Sequence, residues 1–536
     1  ARGLTTRAAR QAFLQPDYMA VKHDPFLLPD MKKAVARLKQ AREQGEKIVI
    51  YGDYDIDGLS ATALLLDAFG KFGFEDFDAF IPNRFVEGYG MTMGAVDKVR
   101  DMGADLIVTV DTGSLCHAEI AYAASLGIDT VVTDHHNVAE TPPPSVAAVN
   151  PKFSGHSYPF RDLCGAGVAF KLVQALQTEL DGLPDGYEKW LLDLVALGTV
   201  CDIVTLADEN RANVYWGLEV LKKQQRPGLK ALMAVAGIEP EQVNARHLGF
   251  GLGPRMNAAG RLETAQHALD MLTARDGLAA LEASEKLEEL NTKRRSIQDA
   301  IFEEACVQAE ELADDRVLVV SSGGWNHGVI GIVASKLVEK YKKPVFIIGE
   351  RGEEATGSAR SFGDFSAADA VRAADDIIIK GGGHGAAAGV TLATEKIGDF
   401  RRRVNEFYDS LQLTNQERYL LPRADVEIDD FSEIDEELVA NLAKMEPFGN
   451  GNPEPVLKIA RASVLSMRRM GADGQHVKLA LRDKNGKVLQ MLAFNAPEEF
   501  FREPGDEVAA WFQPAINEWQ GVRTVEGRLL HIILLD

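Results

Sequence analysis

The chain has 536 residues, 46% hydrophobic and 26% charged, with a net charge of −22. That length allows several domains with buried cores, and the composition is that of an ordinary globular protein. No apolar run is long enough to span a bilayer, and the opening ARGLTTRAARQAFLQP lacks the apolar core of a signal peptide. The four cysteines (Cys116, Cys164, Cys201 and Cys306) are far apart with no CxxC pair. This argues against a disulfide framework or a thiolate zinc site and predicts a reducing, cytoplasmic setting. The acidic balance argues superficially against a nucleic-acid partner, but a binding groove is local. Between Val456 and Ala496 eight Lys/Arg stand against two acids, and between Arg423 and Pro455 ten acids against two bases. Such polarity can make a basic patch on an acidic protein, with plain solvated faces as the equal alternative on charge alone.

The first segment ends in MKKAVARLKQAREQG, whose apolar positions recur at helical spacing with Gly45 as the stop. Lys47–Gly58, KIVIYGDYDIDG, opens with an apolar run of buried-strand composition and continues with Asp53, Asp55 and Asp57 at alternate positions. Turns and helix N-caps account for one Asp readily and a second with effort. Three crowded carboxylates are costly unless a cation or a proton compensates, so a cation site at the end of this strand is the better reading.

Further strands are predicted in EDFDAFI, ADLIVTVD, IDTVVTD and SVAAVNP, with helices such as MTMGAVDKVRDMG and AEIAYAASLG between them. That alternation predicts a doubly wound α/β domain with a parallel sheet, whose ligands bind beyond the carboxyl ends of the strands. Asp111 ends one strand, Asp134-His135-His136 ends another, and Asp202 follows the helical run WLLDLVALGTVCD. Each alone has a bland explanation as a cap or a loop residue; together they bring carboxylates and imidazoles to one sheet edge.

From about Leu206 to Leu312 the pattern is helical, with Leu287, Leu290, Ile297 and Ile301 as the apolar stripe of a long connecting helix. Within it, GFGLGPRMNAAGRLETA reads as a Gly-rich loop carrying Arg255 and Arg261, either a phosphate contact or a mere irregular loop. A second α/β unit starts at Arg316. Its TGSARSFG and KGGGHGAAAGVTL read as loops built for close contact with a ligand or another backbone. Ser358, Arg360 and the backbone amides near His384 are candidates to cradle a phosphate there, with a flexible hinge as the competing reading. After Arg423 short alternating strands predict a small β-barrel. Phe494, Trp511 and Trp519 are either base-stacking rings of an OB-fold or barrel core.

The motifs GDYDIDG (52–58), PNRFVEGYG (82–90), VDTG (110–113), DHH (134–136), GTVCD (198–202) and GPRMNAAGR (253–261) form a pattern with four others: GVIGIVASKL (328–337), GSARS (357–361), GGGHGAAAG (381–389) and FGNGNPEP (448–455). In this order, over almost the whole chain, they resemble the RecJ family of DHH phosphoesterases, single-strand-specific 5′→3′ exonucleases. The resemblance implies an N-terminal helical segment (1–46), a DHH catalytic domain (47–205), a helical region with a long connector (206–315), a DHHA1 domain (316–412) and an OB-fold (423–536). It implies an exodeoxyribonuclease of DNA repair and recombination that acts on single-stranded DNA and releases 5′-phosphomonoesters. The duplex would be excluded by a narrow passage between the two α/β domains. The implied protein is a cytoplasmic monomer, working beside a single-strand-binding protein and a helicase.

By that resemblance Asp55 and Asp111 hold one divalent ion, and Asp57, Asp111, His135 and Asp202 hold the second. Asp53 and His136 are the catalytic neighbours, His136 against the scissile phosphate. Arg84, Arg255, Ser358, Arg360 and His384 hold the 5′-phosphate and adjacent backbone. Oxygen ligands with imidazole suit Mn²⁺ or Mg²⁺, the histidines tilting the choice to Mn²⁺. Tyr51 stands where related phosphoesterases often carry a metal-binding histidine; a phenol is a poor ligand at neutral pH, so the first ion is expected to bind more weakly. Trp325-Asn326-His327 interrupts a tryptophan-histidine pair usual in the family, which leaves His327 without a family role. The rival readings are a DHH-family phosphodiesterase for short oligonucleotides or cyclic dinucleotides and a non-catalytic DNA-binding scaffold.

Overall fold

The computed structural model describes residues 2–88, 90–414, 416–519 and 521–535; Tyr89 of the PNRFVEGYG motif and the side chain of Trp519 lie outside the described residues. Residues 17–414 with Gly449–Gly451 make one compact unit, and the described parts of 1–16, 415–448 and 452–536 make another.

In the larger unit, β1 (Ile48–Gly52), β2 (Phe77–Phe80), β3 (Leu106–Val110), β4 (Asp129–Thr133) and β5 (Ala147–Val149) form a parallel sheet in the order β2-β1-β3-β4-β5. Ile48 and Ile50 pack into the core on one face, and Val49 and Tyr51 into the core on the other. A sheet covered on both sides needs apolar residues at every position, and for that reason these strands read as unbroken hydrophobic runs. Helix α1 (Met31–Gln44) ends at Gly45 with φ of 65°, as its sequence predicts. Helices α2 (Ile56–Phe72), α3 (Met93–Asp101) and α4 (His117–Ser125) connect the strands, and α5 (Gly165–Glu179) and α6 (Leu192–Cys201) follow β5.

The segment read as a Gly-rich loop is helical instead. A π-helical turn, His247–Leu252, runs directly into α7 (Gly253–Leu262). Its glycines serve helix packing: a Cβ at Gly253 would lie 3.1 Å from Cys201 Sγ and 3.4 Å from Ile56 Cδ1. The long connector is α8 (Gly277–Glu311), and Leu287, Leu290 and Ile301 of its predicted stripe are buried.

The second sheet has the order β6-β7-β8-β10-β9, from β6 (Leu318–Gly323), β7 (Val345–Arg351), β8 (Glu354–Arg360), β9 (Ile378–Gly383) and β10 (Ala387–Ala393), with helix α9 (Ile330–Tyr341) between β6 and β7. Only β6 and β7 pair in parallel; β7-β8-β10-β9 is antiparallel. Two expected loops are therefore strands. Gly381–Gly383 belong to β9, and Ser358 and Arg360 to β8. The glycines admit another backbone: a Cβ at Gly383 would fall 2.4 Å from Ala387 O.

In the smaller unit, β11 (Val426–Ile428), β12 (Leu457–Met470), β13 (His476–Arg482), β14 (Val488–Ala493), β15 (Glu507–Trp519) and β16 (Val522–Leu534) form a sheet that closes through pairing of β12 with β15. The result is the expected small barrel. Trp511 is 6% exposed but outside the barrel's core cluster, its ring against Lys458 and His531, whereas Phe494 is 63% exposed. The expected basic patch is largely neutralised by the acidic stretch before it and by neighbouring strands: Lys458 pairs with Glu427, Lys484 with Asp429, Lys478 with Glu526 and Arg469 with Glu498. Among the described residues no helix is long and apolar enough to cross a membrane.

Candidate functional site

Each acid of the first sheet is placed by a local backbone device. Asp55 is the N-cap of α2, its Oδ1 accepting from the N–H groups of Asp57 and Gly58 at 2.9 and 3.1 Å. Asp57, in the first turn of the same helix, accepts from the N–H groups of Gly165 and Ala166 at the start of α5, at 2.5 and 2.9 Å. Asp111, just past β3, has φ of 61°, a left-handed conformation that carries it out of the strand. Asp202 caps the C-terminal end of α6. Small residues make room for the carboxylates: a Cβ at Gly165 would lie 2.5 Å from Asp111 Cβ, and one at Gly198 2.4 Å from Asp57 Oδ1.

Their ligand atoms converge. Asp53, Asp55 and Asp111 form one group, Asp57, His135 and Asp202 a second, and Asp111, His135 and His136 a third, each with its donor atoms within 4.8 Å of one another. His135 Nε2 lies 3.1 Å from Asp111 Oδ1, 3.5 Å from Asp202 Oδ2 and 3.7 Å from Asp57 Oδ2. Yet His135 Nε2, both Asp111 oxygens and Asp53 Oδ1 are buried without a hydrogen-bond partner. Buried polar atoms are rarely left so, because each forgoes its hydration for nothing. Lone pairs of carboxylates and a neutral imidazole, crowded and unsatisfied, fit a divalent cation bound by oxygen and nitrogen.

The electrostatics agree. Burial, then the charge of Asp55, pushes Asp53 up to about 7 and Asp57 up to about 6. Burial, Asp57 and Asp55 push Asp202 up to about 8, and the same influences hold Asp111 well above the carboxylate range. Burial and the neighbouring His136 lower His135 to about 4, so it is neutral at physiological pH. His136 is opposite in character. Burial works against its charge, but Asp134 outweighs this and raises it to about 9. The link is Nδ1 to Asp134 Oδ1 at 2.9 Å.

Asp134 is a residue that the sequence reading named in its motif without giving it a task. It also accepts from the N–H groups of Ser114, His135 and His136, and so fixes the turn that presents both imidazoles. The Tyr51 phenol is fully buried and donates to Gly90 O at 3.1 Å.

The candidate phosphate residues are placed less uniformly. Arg84 lies over the Tyr54 ring, 4.4 Å from its centroid. Arg360 Nη1 reaches Ser358 Oγ at 3.2 Å on the same strand, and both flank Gly331 of α9. Arg255 pairs with Glu288 of α8 and donates to Gly251 O at 2.7 Å. His384, in the β9–β10 turn, is exposed. His327 Nε2 is buried without a partner, 3.1 Å from where a Cβ at Gly349 would sit.

Arg261, read with Arg255 as a candidate phosphate contact, and Arg294, which the sequence did not mark, lie beside these residues. Arg261 donates to Gly328 O at 2.8 Å, and burial followed by Arg84, Arg294 and Arg360 lowers it to about 10. Arg294, on α8, is held by Asn291 and Gln298 rather than by an acid. Arg84, Arg294 and Arg360 thus stand near enough to Arg261 to disfavour its charge, and among the described residues none of the four is in an ion pair with a carboxylate, a chemistry that suits an anion. The sequence signal for Arg261 was its place beside Arg255 in one motif; Arg294 lies in a highly charged helix and gave none.

Three family models match the chain: the DHH family N-terminal domain over residues 47–199, the DHHA1 domain over 314–410 and the RecJ OB domain over 424–531. The chain is 39% identical to the single-stranded-DNA-specific exonuclease RecJ of Bacillus subtilis (strain 168), over 97% of its own length and 65% of that protein's. To the RecJ of Salmonella typhimurium it is 35% identical, over 93% of its own length and 89% of the relative's. Among solved structures, RecJ from Thermus thermophilus in complex with Mn²⁺ superposes with a TM-score of 0.82 at 30% identity, over 98% of this chain and 74% of that one. The same protein in complex with Mg²⁺ gives 0.75 at 28% identity, over 99% and 73%. The chain thus spans just under two thirds of the Bacillus relative and most of the Salmonella one. With all three domain models and two relatives agreeing, it belongs to the RecJ family of DHH-domain proteins.

Proposed function

We propose that this protein is a metal-dependent exonuclease that hydrolyses single-stranded DNA from the 5′ end to 5′-mononucleotides, in DNA repair and recombination. One observation carries the reading: a pocket of buried, unsatisfied carboxylates in the same unit as a group of acid-free arginines. The first has the chemistry of a divalent-cation site, and the second that of a phosphate site. Both are needed to hydrolyse a phosphodiester whose neighbouring phosphate is held. The names of the relatives support a single-stranded DNA substrate, and no observation favours a cyclic dinucleotide or a non-catalytic scaffold.

Asp55 and Asp111 would hold one ion, and Asp57, Asp111, His135 and Asp202 the other, with Asp111 between them and Asp53 beside the first. Bound there, Mn²⁺ or Mg²⁺ ions would supply Lewis acidity and a water of lowered pKa for in-line displacement. The protein supplies the rest. Asp134 keeps His136 protonated, and because Nδ1 serves Asp134, Nε2–H is the proton that His136 presents to a phosphate oxygen. Asp57, fixed by two backbone N–H groups, holds its ligand oxygens in place without reorganisation. Arg84, Arg360 and Ser358, with Arg255 and His384, would orient the terminal phosphate so that the first phosphodiester lies over the carboxylates. Phe494 is an exposed ring on which a base of the trailing strand can stack. The expected narrow passage for a single strand, a monomeric state, a cytoplasmic setting and partnership with a single-strand-binding protein and a helicase rest on the family alone and are proposed on that ground.

The test is digestion of 5′-labelled single strands, duplexes and cyclic dinucleotides with Mn²⁺, Mg²⁺ or EDTA. Mononucleotides are expected from the single strand with metal only. Preferential cleavage of the dinucleotide, or activity that survives EDTA, would overturn the proposal.

A further inference from the structure

The FGNGNPEP motif at 448–455 has no part in the chemistry above, yet Gly449–Gly451 fold with the catalytic unit. They grip the turn that follows Asp202. Asn450 Nδ2 donates to Ile203 O at 2.8 Å, and Leu206 N donates to Asn450 O at 2.8 Å. One residue thus ties both ends of the turn. Its neighbours keep the approach close: a Cβ at Gly449 would lie 2.7 Å from Leu206 Cδ1, and one at Gly451, where φ is 74° and favours glycine, 2.6 Å from Thr205 Cγ2. From the other side Asn210 Nδ2 donates to Thr205 O at 3.1 Å.

The turn needs holding. Ile203 has φ of 60°, a left-handed conformation that β-branched residues avoid, and its side chain is 69% exposed, so burial does not offset the strain. Asp202 itself is weakly tethered. Asp55 and Asp57 each accept two backbone N–H bonds, whereas among the described residues no hydrogen bond is made to the Asp202 carboxylate. Its side chain is 22% exposed, against 1% for Asp57 and Asp111. The direction of this carboxylate is therefore set by the backbone beyond it.

We propose that Asn450, set between Gly449 and Gly451, is a positioning residue that clips the Ile203–Leu206 turn and so aims Asp202 at the ion it shares with Asp57, Asp111 and His135. This rests on the reading of Asp202 as a metal ligand. Partners outside the ligand set tune metal affinity through ligand orientation, and the loss of one costs on the order of 10–100-fold.

The experiment titrates the full chain with Mn²⁺ and counts the free ion by electron paramagnetic resonance, for the parent and for Asn450→Ala, Asn450→Asp, Gly451→Ala and Asp202→Asn. Melting and single-strand binding are measured beside it. Asn450→Asp keeps the shape but cannot donate to Ile203 O. The three clip variants are expected to need about 10-fold more Mn²⁺ to fill the site. They should bind single strands normally and recover the parental kcat at high Mn²⁺. Asp202→Asn should lose more affinity. A parental titration in the clip variants while Asp202→Asn is shifted would overturn the clip alone. So would a loss that merely tracks the unfolded fraction. A parental titration for Asp202→Asn would instead overturn the ligand assignment, and the clip with it.

Discussion

The carboxylate pocket and the arginine group are mirror images in charge and alike in energetics. Burial and neighbouring acids, Asp55 among them in every case, raise the proton affinity of Asp53, Asp57, Asp111 and Asp202, and burial with Arg84, Arg294 and Arg360 lowers that of Arg261. Within each set like charges are crowded, and in the acidic set the nearby His136 offsets them only in part, which costs folding stability. A fold keeps such an arrangement where a ligand of opposite charge completes it. The difference lies in how the two are built. Three of the acids (Asp53, Asp55 and Asp57) share one strand-to-helix turn and all lie within a single sheet domain, while the arginines come from residues 84, 261, 294 and 360 in four separate elements.

The comparison breaks first at Asp111. Asp111→Ala removes the group between the two proposed ions and should lower hydrolysis at least ~1,000-fold, a loss of several kcal/mol of charge stabilisation. Binding of single strands should be retained. Comparable loss of both would mean that the acids serve the fold and not the chemistry.

On the cationic side, Arg360→Gln should weaken a 5′-phosphorylated strand by ~10–100-fold, as expected for a lost charge-assisted hydrogen bond, and a 5′-hydroxyl strand much less. Equal losses would disconnect Arg360 from the terminal phosphate. Arg255 sharpens the point because Glu288 already engages it. Glu288→Gln should release it and tighten 5′-phosphate binding by a few-fold, about the ~1 kcal/mol of a partly exposed ion pair. Unchanged or weaker binding would show that Arg255 serves α8 only.

Titration gives a subtler test. The folded protein holds protons on Asp53, Asp57 and Asp202 up to about pH 7, 6 and 8, whereas unfolded carboxylates lose them near pH 4. Between those limits the folded state binds more protons, so metal-free stability falls as pH rises from about 4 to about 8. His136, raised to about 9, extends the fall, while His135, lowered to about 4, opposes it only below about pH 6.5. Melting followed across that range in EDTA should show the decline, and Mn²⁺ should flatten it by replacing protons. A metal-free melting temperature that climbs from pH 5 to 8 would contradict the pocket's electrostatics.

The smallest effect is expected at Tyr51. Its phenol is committed to Gly90 O, so Tyr51→Phe should cost about 1 kcal/mol of stability and leave Mn²⁺ affinity unchanged. A shifted titration would return Tyr51 to the metal site.

Much of the acidic half was legible because unbroken apolar runs mark the strands, and Asp53, Asp111 and His135 fall just past them, with Asp55 and Asp57 opening the next helix and Asp202 ending α6. The sequence could not show that Asp134 works by accepting four hydrogen bonds, since that depends on the shape of one turn. The glycine-rich stretches misled. Glycine in GPRMNAAGR and GGGHG reads as loop, but here it admits helix against helix and strand against strand. Propensity yields to packing where a Cβ would collide. Trp511 read either as a stacking ring or as barrel core, and it is neither an exposed ring nor a member of the core cluster, being covered by Lys458 and His531. Arg261 was visible only as one of two arginines in a motif, and Arg294 stayed hidden, because what sets it apart is amide partners in place of acids, which no local pattern records.

Anomalous diffraction at the manganese edge from crystals grown with Mn²⁺ tests the central claim most directly. Two peaks are predicted, roughly 3.5–4 Å apart as in two-metal sites. One should lie among Asp57, Asp111, His135 and Asp202 and the other beside Asp55 and Asp111. A single peak away from Asp111, or none within this pocket, would contradict the account.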